Sequence, residues 1–369
     1  MEPAAGDGAV VPPFESRHPR IETTWLPVRV ESSALLEGSR DAAYRQAEDA
    51  GIRATLPRLI SERRPDVIFI GRESVVGEVP PIASRHGVPT VAVVQGGLTI
   101  GAILAGAGDP LARHQVARLR QVDAVVAVAA HLRTAMMPLG LRRVTVIPNP
   151  VDLERFTPGP KPPGLTETLG IGAGTVVVSH FSNFKRPKRV GDVVASAKRV
   201  LAARADVVYL LVGDGPERER AETTCREQGL TARVRFTGWV DRDEMPGYLR
   251  ATDVVVMASE SEGSPFIYLE AQASGCVLVA SDIPATRELV ADGRTGLIFR
   301  TADLDGLAAQ TLRAAGDPAL RASLGGAARV AVHAHAEPVV LDAYARLLEE
   351  VVRPGPPLSV TSALPAGRR

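Results

Sequence analysis

Two carboxylates eight residues apart, Glu262 and Glu270, flank a Ser-Pro in the stretch SESEGSPFIYLEAQASG at 259–275. Three chemistries fit that pattern: a general acid and base, a solvated helix face, or a clamp around an anion at a helix start. Ser264 is a favoured N-cap, Pro265 suits the first helical position and Gly275 suits the residue just past the end. The helix is therefore expected to open near Pro265, directly after the strand candidate DVVVMAS at 253–259. Free backbone N–H groups and the helix dipole favour a phosphate there. A carboxylate at Glu262 would be costly beside that anion unless it faced neutral hydroxyls, such as those of a sugar. Glu270, one turn further in, could take a ribose diol on both oxygens. Nothing in the sequence makes one carboxyl more buried than the other, so the acid–base reading ranks below the clamp.

A second cluster, SHFSNFKRPKRVGDVV at 179–194, sets Lys185, Arg186, Lys188 and Arg189 beside another strand end. Four cations there suit two phosphates whose charge must be stabilised. The bland alternative, an ordinary basic helix start, is disfavoured because cations at a helix N-terminus oppose the dipole. Other chemistries lack their fingerprints. No G-x-G-x-x-G follows a strand, and neither a G-x-x-x-x-G-K-[ST] loop nor a G-x-S-x-G elbow occurs. His333 and His335 read as surface histidines rather than metal ligands. The DRD at 241–243 reads as a helix start, with Asp241 as N-cap and Glu244 three residues on.

The elements that must position these groups alternate along the chain. Strand candidates fall at 21–28, 66–71, 88–96, 123–129 and 143–149, with helical stretches near 41–63, 78–86, 111–122 and 130–139. After a stretch crowded with Pro and Gly, strands resume at 175–180, 207–213, 233–238, 253–259, 277–282 and 295–299. Apolar runs without alternation predict strands covered on both faces, and their spacing predicts parallel sheets. The expected fold class is α/β, with two tandem doubly wound Rossmann-like domains. Residues 1–150 would form the first domain, 151–172 a linker and 173–335 the second. A helix over 336–352 would pack back, and 353–369 would be a disordered tail.

Composition narrows the classes. A net charge of +1 over 369 residues gives no electrostatic case for nucleic acid. Two cysteines, Cys225 and Cys276, are too few and too far apart for a disulfide framework or zinc site, so a reducing cytosol is expected. The N-terminus lacks a basic segment followed by an apolar core, and GGLTIGAILAGAG at 96–108 is too short and glycine-rich to span a bilayer. Peripheral contact with the inner face of a membrane and a homo-oligomer both stay open.

The Glu-x7-Glu followed by A-x-A-x-G in EGSPFIYLEAQASGCVLVASD resembles the nucleotide-sugar signature of glycosyltransferase family 4, a retaining family with the GT-B fold. The resemblance extends to LLVGDGPERE (210–219), VRFTGWV (234–240), RELVADGRTGLIF (287–299) and VIPNPVDLERF (146–156), and covers roughly residues 60 to 350. It implies a nucleoside diphosphate sugar donor, a hydroxyl acceptor and no required metal or other cofactor. Glu262 would bind the transferred sugar and Glu270 the ribose. The amides of Gly263, Ser264, Phe266 and Ile267 would line sugar and pyrophosphate. The backbone at Trp239 and Val240 would meet the base, and Gly213 and Gly215 would permit close approach near the nucleotide. Lys188 holds the place of the family's pyrophosphate lysine, with Lys185 and Arg189 close by, while Asn183 stands where an arginine is usual. The S-N-F…K-R-V wording resembles the N-acetylglucosaminyl-malate synthases, which hints at that sugar.

The first domain departs from the family. No strand, glycine-rich loop and helix precede RIETTWLPV, so the first strands are expected to be missing. Gln95, followed by Gly96, sits where a histidine near the reacting sugar is usual; glutamine can bond a hydroxyl but does not titrate near neutrality. Arg72 and Glu73 follow the strand at 66–71 and are acceptor-side candidates. Two rival readings accompany the hexosyltransferase: a weakly active sugar-nucleotide-binding subunit, and an epimerase or phosphorylase on the same fold.

Overall fold

The computed structural model describes residues 42–71, 76–96 and 110–353; the strand expected at 21–28, Arg72 and Glu73 lie outside them. By its contacts the chain divides into two compact units. The first holds the described residues up to Val128 together with Leu132–Val146 and those from Ala345 onward, and the second holds Ala129–His131 and Ile147–Tyr344.

In the first unit, α1 (Ala42–Arg63), β1 (Ile68–Ile70), α2 (Val79–Arg85), β2 (Thr90–Val94), α3 (Pro110–Leu119), β3 (Ala124–Ala127), α4 (Ala130–Met136, its first two residues counted with the second unit) and β4 (Val144–Val146) follow one another. Its four strands among the described residues are parallel and pair in chain order, β1-β2-β3-β4. Every residue of β2 and β3 is buried, as the unbroken apolar runs predict. Asp123 ties the amino ends of these two strands, its Oδ2 accepting from Thr90 N at 2.9 Å and Thr90 Oγ1 at 3.0 Å.

The second unit begins with α5 (Pro163–Thr168) and β5 (Val176–Phe181), then α6 (Val190–Ala203), β6 (Val207–Val212), α7 (Arg218–Glu227) and β7 (Val234–Gly238). It continues with α8 (Met245–Ala251), β8 (Val254–Met257), α9 (Phe266–Ala273), β9 (Val277–Ser281), α10 (Pro284–Leu289) and β10 (Leu297–Phe299). The helices α11 (Leu304–Gly316), α12 (Pro318–Ala331) and α13 (Glu337–Val352) close the described chain. The parallel sheet runs β10-β9-β8-β5-β6-β7, so chain order reverses between β5 and β8. Alternate residues feed two cores: Val176, Val178, Tyr209, Leu211, Val254 and Val256 enter one, and Val177, Leu210, Val212, Val255 and Met257 the other. A sheet covered on both faces offers ligands its strand ends, and the reversal opens a crevice at the carboxyl ends of β5 and β8. The proline-rich stretch read as a linker contributes Val151, Phe156 and Ile171 to the second core. Among the described residues no helix is long and apolar enough to cross a membrane.

Candidate functional site

The loops leaving β5 and β8 meet at the reversal point, and each carries one of the two clusters singled out above. Lys188 Nζ donates to both carboxylate oxygens of Glu262, at 2.6 and 2.7 Å. Ser259 Oγ donates to Glu262 Oε1 at 2.7 Å. A second rung runs beside it, with Arg189 Nη1 on Glu260 Oε1 at 2.5 Å and Glu260 N on the Pro187 carbonyl at 2.8 Å. Arg189 also holds Asp192, so its charge is shared between two carboxylates. Lys185 and Arg186 are exposed and enter no ion pair among the described residues.

The turn that presents these cations is bracketed by two non-glycine residues in the left-handed region, Phe184 at φ 38° and Arg189 at φ 50°. Each costs on the order of 1 kcal/mol, so the surroundings must hold them. Phe184 is fully buried, stacked on His180 at 6.0 Å between ring centroids and edge-on to Phe236 at 6.5 Å. His180 Nδ1–H donates to the Val256 carbonyl at 2.9 Å, which leaves Nε2 to accept from the Ser182 hydroxyl at 2.8 Å. Ser182 Oγ in turn accepts from Phe184 N at 3.2 Å. Burial drives the His180 imidazole down to about 4, against the pull of its Val256 bond and with help from the nearby Lys188 charge. A neutral ring thus braces the loop without opposing Lys188.

Gly213 (φ 127°) and Gly215 (φ 151°) serve the same loop. A Cβ on Gly213 would lie 1.8 Å from the Ser182 carbonyl oxygen, and one on Gly215 would lie 2.0 Å from that of Asn183. The close approach these glycines permit is by the chain's own 182–183 backbone, which leaves Asn183 exposed at the strand exit.

On the other side, α9 starts one residue later than expected. Pro265 is its N-cap at φ −69° and ψ 120°, and no side chain caps the helix. The extended ψ at Pro265 keeps it outside the helix, while buried Asn149 donates to the Ser264 carbonyl at 2.8 Å and fixes the entry. The first turn thus opens on Phe266 and Ile267, whose amides head the helix. Gly275, at φ 76°, closes it as expected. The DRD stretch also differs from expectation. Helix α8 has Glu244 as N-cap without a side-chain bond, and Asp241 contributes only its carbonyl, accepting from Glu244 N and Met245 N. Pro246 near the helix start has no N–H for a side-chain cap to satisfy.

Glu270 sits one turn into α9, half-buried and with no hydrogen-bond partner for its carboxylate among the described residues. Burial raises its pKa, opposed by the charges of Arg242 and Arg155. An unpartnered, partly desolvated carboxylate has acceptor capacity to offer a diol. Trp239 is 73% exposed beyond β7, with Val240 half-buried beside it. Glu288 Oε1, meanwhile, takes His131 Nδ1 at 2.7 Å and His131 N at 2.6 Å. Burial pushes that carboxyl up, but the bonds from His131 and Ala130 outweigh it and hold it below the usual range.

Gln95 and Gly96 lie at the carboxyl end of β2 in the first unit, half-buried and buried respectively. His335 is partly buried, with Nδ1 3.4 Å from the Asn149 carbonyl, instead of a surface residue. Among the described residues no group of three or more His, Cys, Asp or Glu could hold a metal. The positioning residues His180, Ser182, Asn149 and Ser259 carry no local sequence signal, because their partners lie on other strands and loops.

Two family descriptions match the chain: Glycosyltransferase Family 4 over residues 38–155, and Glycosyl transferases group 1 over residues 175–317. The chain is similar to 2-deoxystreptamine N-acetyl-D-glucosaminyltransferase of Streptomyces fradiae, 31% identical over 56% of this chain and 48% of that protein. It is also similar to N-acetyl-alpha-D-glucosaminyl L-malate synthase of Bacillus anthracis, 30% identical over 46% of this chain and 44% of that one. The chain thus spans about half the length of these two relatives. Among solved structures it resembles Anabaena HepE in complex with UDP and glucose, with a TM-score of 0.72 and 21% identity over 80% of this chain and 81% of that one. That likeness is one of fold, GT-B.

Proposed function

The chain belongs to the glycosyltransferases of group 1 and family 4, and from that premise we propose that it moves a hexosyl group from a nucleoside diphosphate sugar to an acceptor hydroxyl. The observation that carries this reading is the pairing of opposites at one crevice. Lys188 and its basic neighbours face Glu262 across the β5 and β8 loops, with the unpartnered Glu270 behind them on α9. Cations suit a diphosphate, and carboxylates suit sugar and ribose hydroxyls.

On this reading the donor exchanges partners within the site. The diphosphate takes Lys188 and the amides of Gly263, Ser264, Phe266 and Ile267 at the start of α9. Glu262, released from Lys188, accepts from the hydroxyls of the transferred sugar, and Glu270 accepts from the ribose. Lys185 and Arg189 add charge at the same end, Asn183 offers an amide at the β5 exit, and Trp239 and Val240 meet the base. In the first unit, Gln95, Gly96, Arg72 and Glu73 are the acceptor-side and sugar-side residues.

The transfer is retaining. The bond from the anomeric carbon to the β-phosphate oxygen breaks, and the bond to the acceptor oxygen forms on the same face. The acceptor proton passes to the departing phosphate. No protein nucleophile, metal or other cofactor is required; Lys188 stabilises the charge that develops on the diphosphate and Glu262 orients the sugar. The proposed sugar is N-acetylglucosaminyl, a reading supported by the S-N-F…K-R-V loop and by the names of both relatives.

The test is a thermal-shift and hydrolysis screen of the chain over UDP-, GDP- and ADP-sugars, followed by transfer to candidate hydroxyl acceptors. Donor-specific stabilisation and turnover are expected, with UDP-N-acetylglucosamine foremost. If no nucleoside diphosphate sugar binds, the reading falls; binding without turnover would favour the sugar-nucleotide-binding subunit.

A further inference from the structure

The first unit carries a groove of about 760 Å³ that shares no residue with the donor cluster. Four arginines line it, Arg85, Arg120, Arg142 and Arg353, against a single acid, Asp123. They come from four separate segments: the end of α2, the turn before β3, the approach to β4 and the residue after α13. Chain-distant cations brought together in one concavity differ from the interspersed charges of an ordinary solvated surface.

Little within the groove neutralises them. Asp123 is occupied, with Oδ2 on Thr90 and Oδ1 accepting from Arg142 Nη1 at 3.2 Å. Arg120 spends Nε on the Leu139 carbonyl at 2.7 Å and meets no carboxylate among the described residues. Arg85 has no ion-pair partner among them, and Arg353 reaches only the exposed Glu349, at 3.4 Å. Among the lining residues four arginines thus meet one acid, and two of them, Arg85 and Arg120, pair with no carboxylate among the described residues. Guanidinium forks match phosphate oxygens two at a time.

The placement argues against a second view of the transfer site. Pro89 immediately precedes β2, Asp123 immediately precedes β3, and Arg142 lies just ahead of β4, so the groove sits at the amino ends of the strands. Substrates of open parallel sheets bind beyond the carboxyl ends. Pro81, Val88 and Val352 supply apolar wall beside the cations, the mix that holds an organic body with one charged head. We propose that this groove is a binding site for a phosphate ester carried on an apolar body, separate from the donor site.

The test uses the full chain and two arms that distinguish the source of the ester: octyl phosphate in solution by calorimetry, and phosphatidylglycerol vesicles by sedimentation against phosphatidylcholine vesicles. Binding is expected in at least one arm, weakening as salt is raised. The double variant Arg85→Gln/Arg353→Gln removes two cations that anchor no backbone through their side chains, and should lower that binding about tenfold or more. Lys188→Ala should leave it unchanged, and octanoate should bind more weakly than octyl phosphate. An unchanged melting temperature in the double variant separates lost binding from lost fold. Binding in the soluble arm alone assigns a free ester, and binding to the anionic vesicles alone assigns a lipid headgroup. The proposal is overturned by no binding in either arm, by equal binding in the double variant, by loss on Lys188→Ala, or by octanoate binding as tightly.

Discussion

The two units treat their strand ends differently. In the second, Lys188 and Glu262 at the reversal point are each held by at least two constraints. Lys188 is fixed by Glu262 and by a turn whose left-handed residues are braced from beneath, and Glu262 is fixed by Lys188 and Ser259. In the first, the described strands are three to five residues long, and the charged tie that Asp123 makes to Thr90 and Arg142 lies at the amino ends of the strands. On the proposed reading, a tightly constrained donor cluster suits a family in which donor chemistry stays constant while acceptors vary.

The sharpest way to break the contrast is at its most constrained point. Lys188→Ala should lower turnover about 10² to 10³-fold, as loss of one charge-stabilising donor does elsewhere, and should also lower the melting temperature, because the nearly buried Glu262 loses its counter-charge; steady-state kinetics with a saturating donor and a thermal melt check it. Gly213→Ala comes next. Its methyl would meet the Ser182 carbonyl at 1.8 Å at a positive φ, so a loss of about 3 kcal/mol in denaturant unfolding is expected.

Acid should act on the second unit through His180. Its folded value of about 4 lies below the ordinary 6.5, so the unfolded chain binds the extra proton first. Stability is then full above about 6.5 and declines as the pH falls toward 4, by up to about 3 kcal/mol. Thermal melts across that range should show it, and His180→Gln should flatten the slope.

A smaller effect is expected at Glu270. Replacement by Ala should weaken donor binding about 10-fold. Because burial raises its pKa, wild-type donor affinity should fall, on acidification, at a higher pH than an ordinary glutamate would give. Glu270→Gln should remove that limb, measured by titration calorimetry. The smallest effect should come from Gln95→Ala, a few-fold in kcat/KM for the acceptor with donor affinity intact; a loss as large as that at Lys188 would erase the contrast between the units.

The second unit was the more legible in sequence. Its apolar runs predicted the strands from β5 to β10 to within a few residues, because burial on both faces keeps most of their positions apolar. The Glu262–Glu270 spacing and Gly275 are local backbone constraints, and local constraints leave local signals. The entry to α9 was misjudged by one residue because Asn149, far away in sequence, holds Ser264. His335 looked solvated because its cover comes from another segment of chain. The bracing role of His180 and the left-handed turns at Phe184 and Arg189 follow from packing between strands, which no spacing rule encodes. The arginines of the first unit's groove were invisible for the same reason: each is unremarkable in its own segment.

The Lys188–Glu262 bridge makes the crevice a coincidence detector. A bare anion that captured Lys188 would strand Glu262 as a nearly buried, unmatched charge, and a neutral sugar that captured Glu262 would strand Lys188. Only a ligand presenting a negative group and hydroxyls together compensates both halves at once. On the proposed reading, orthophosphate alone or a free sugar alone would compensate only one half of the pair and bind more weakly than a nucleoside diphosphate sugar.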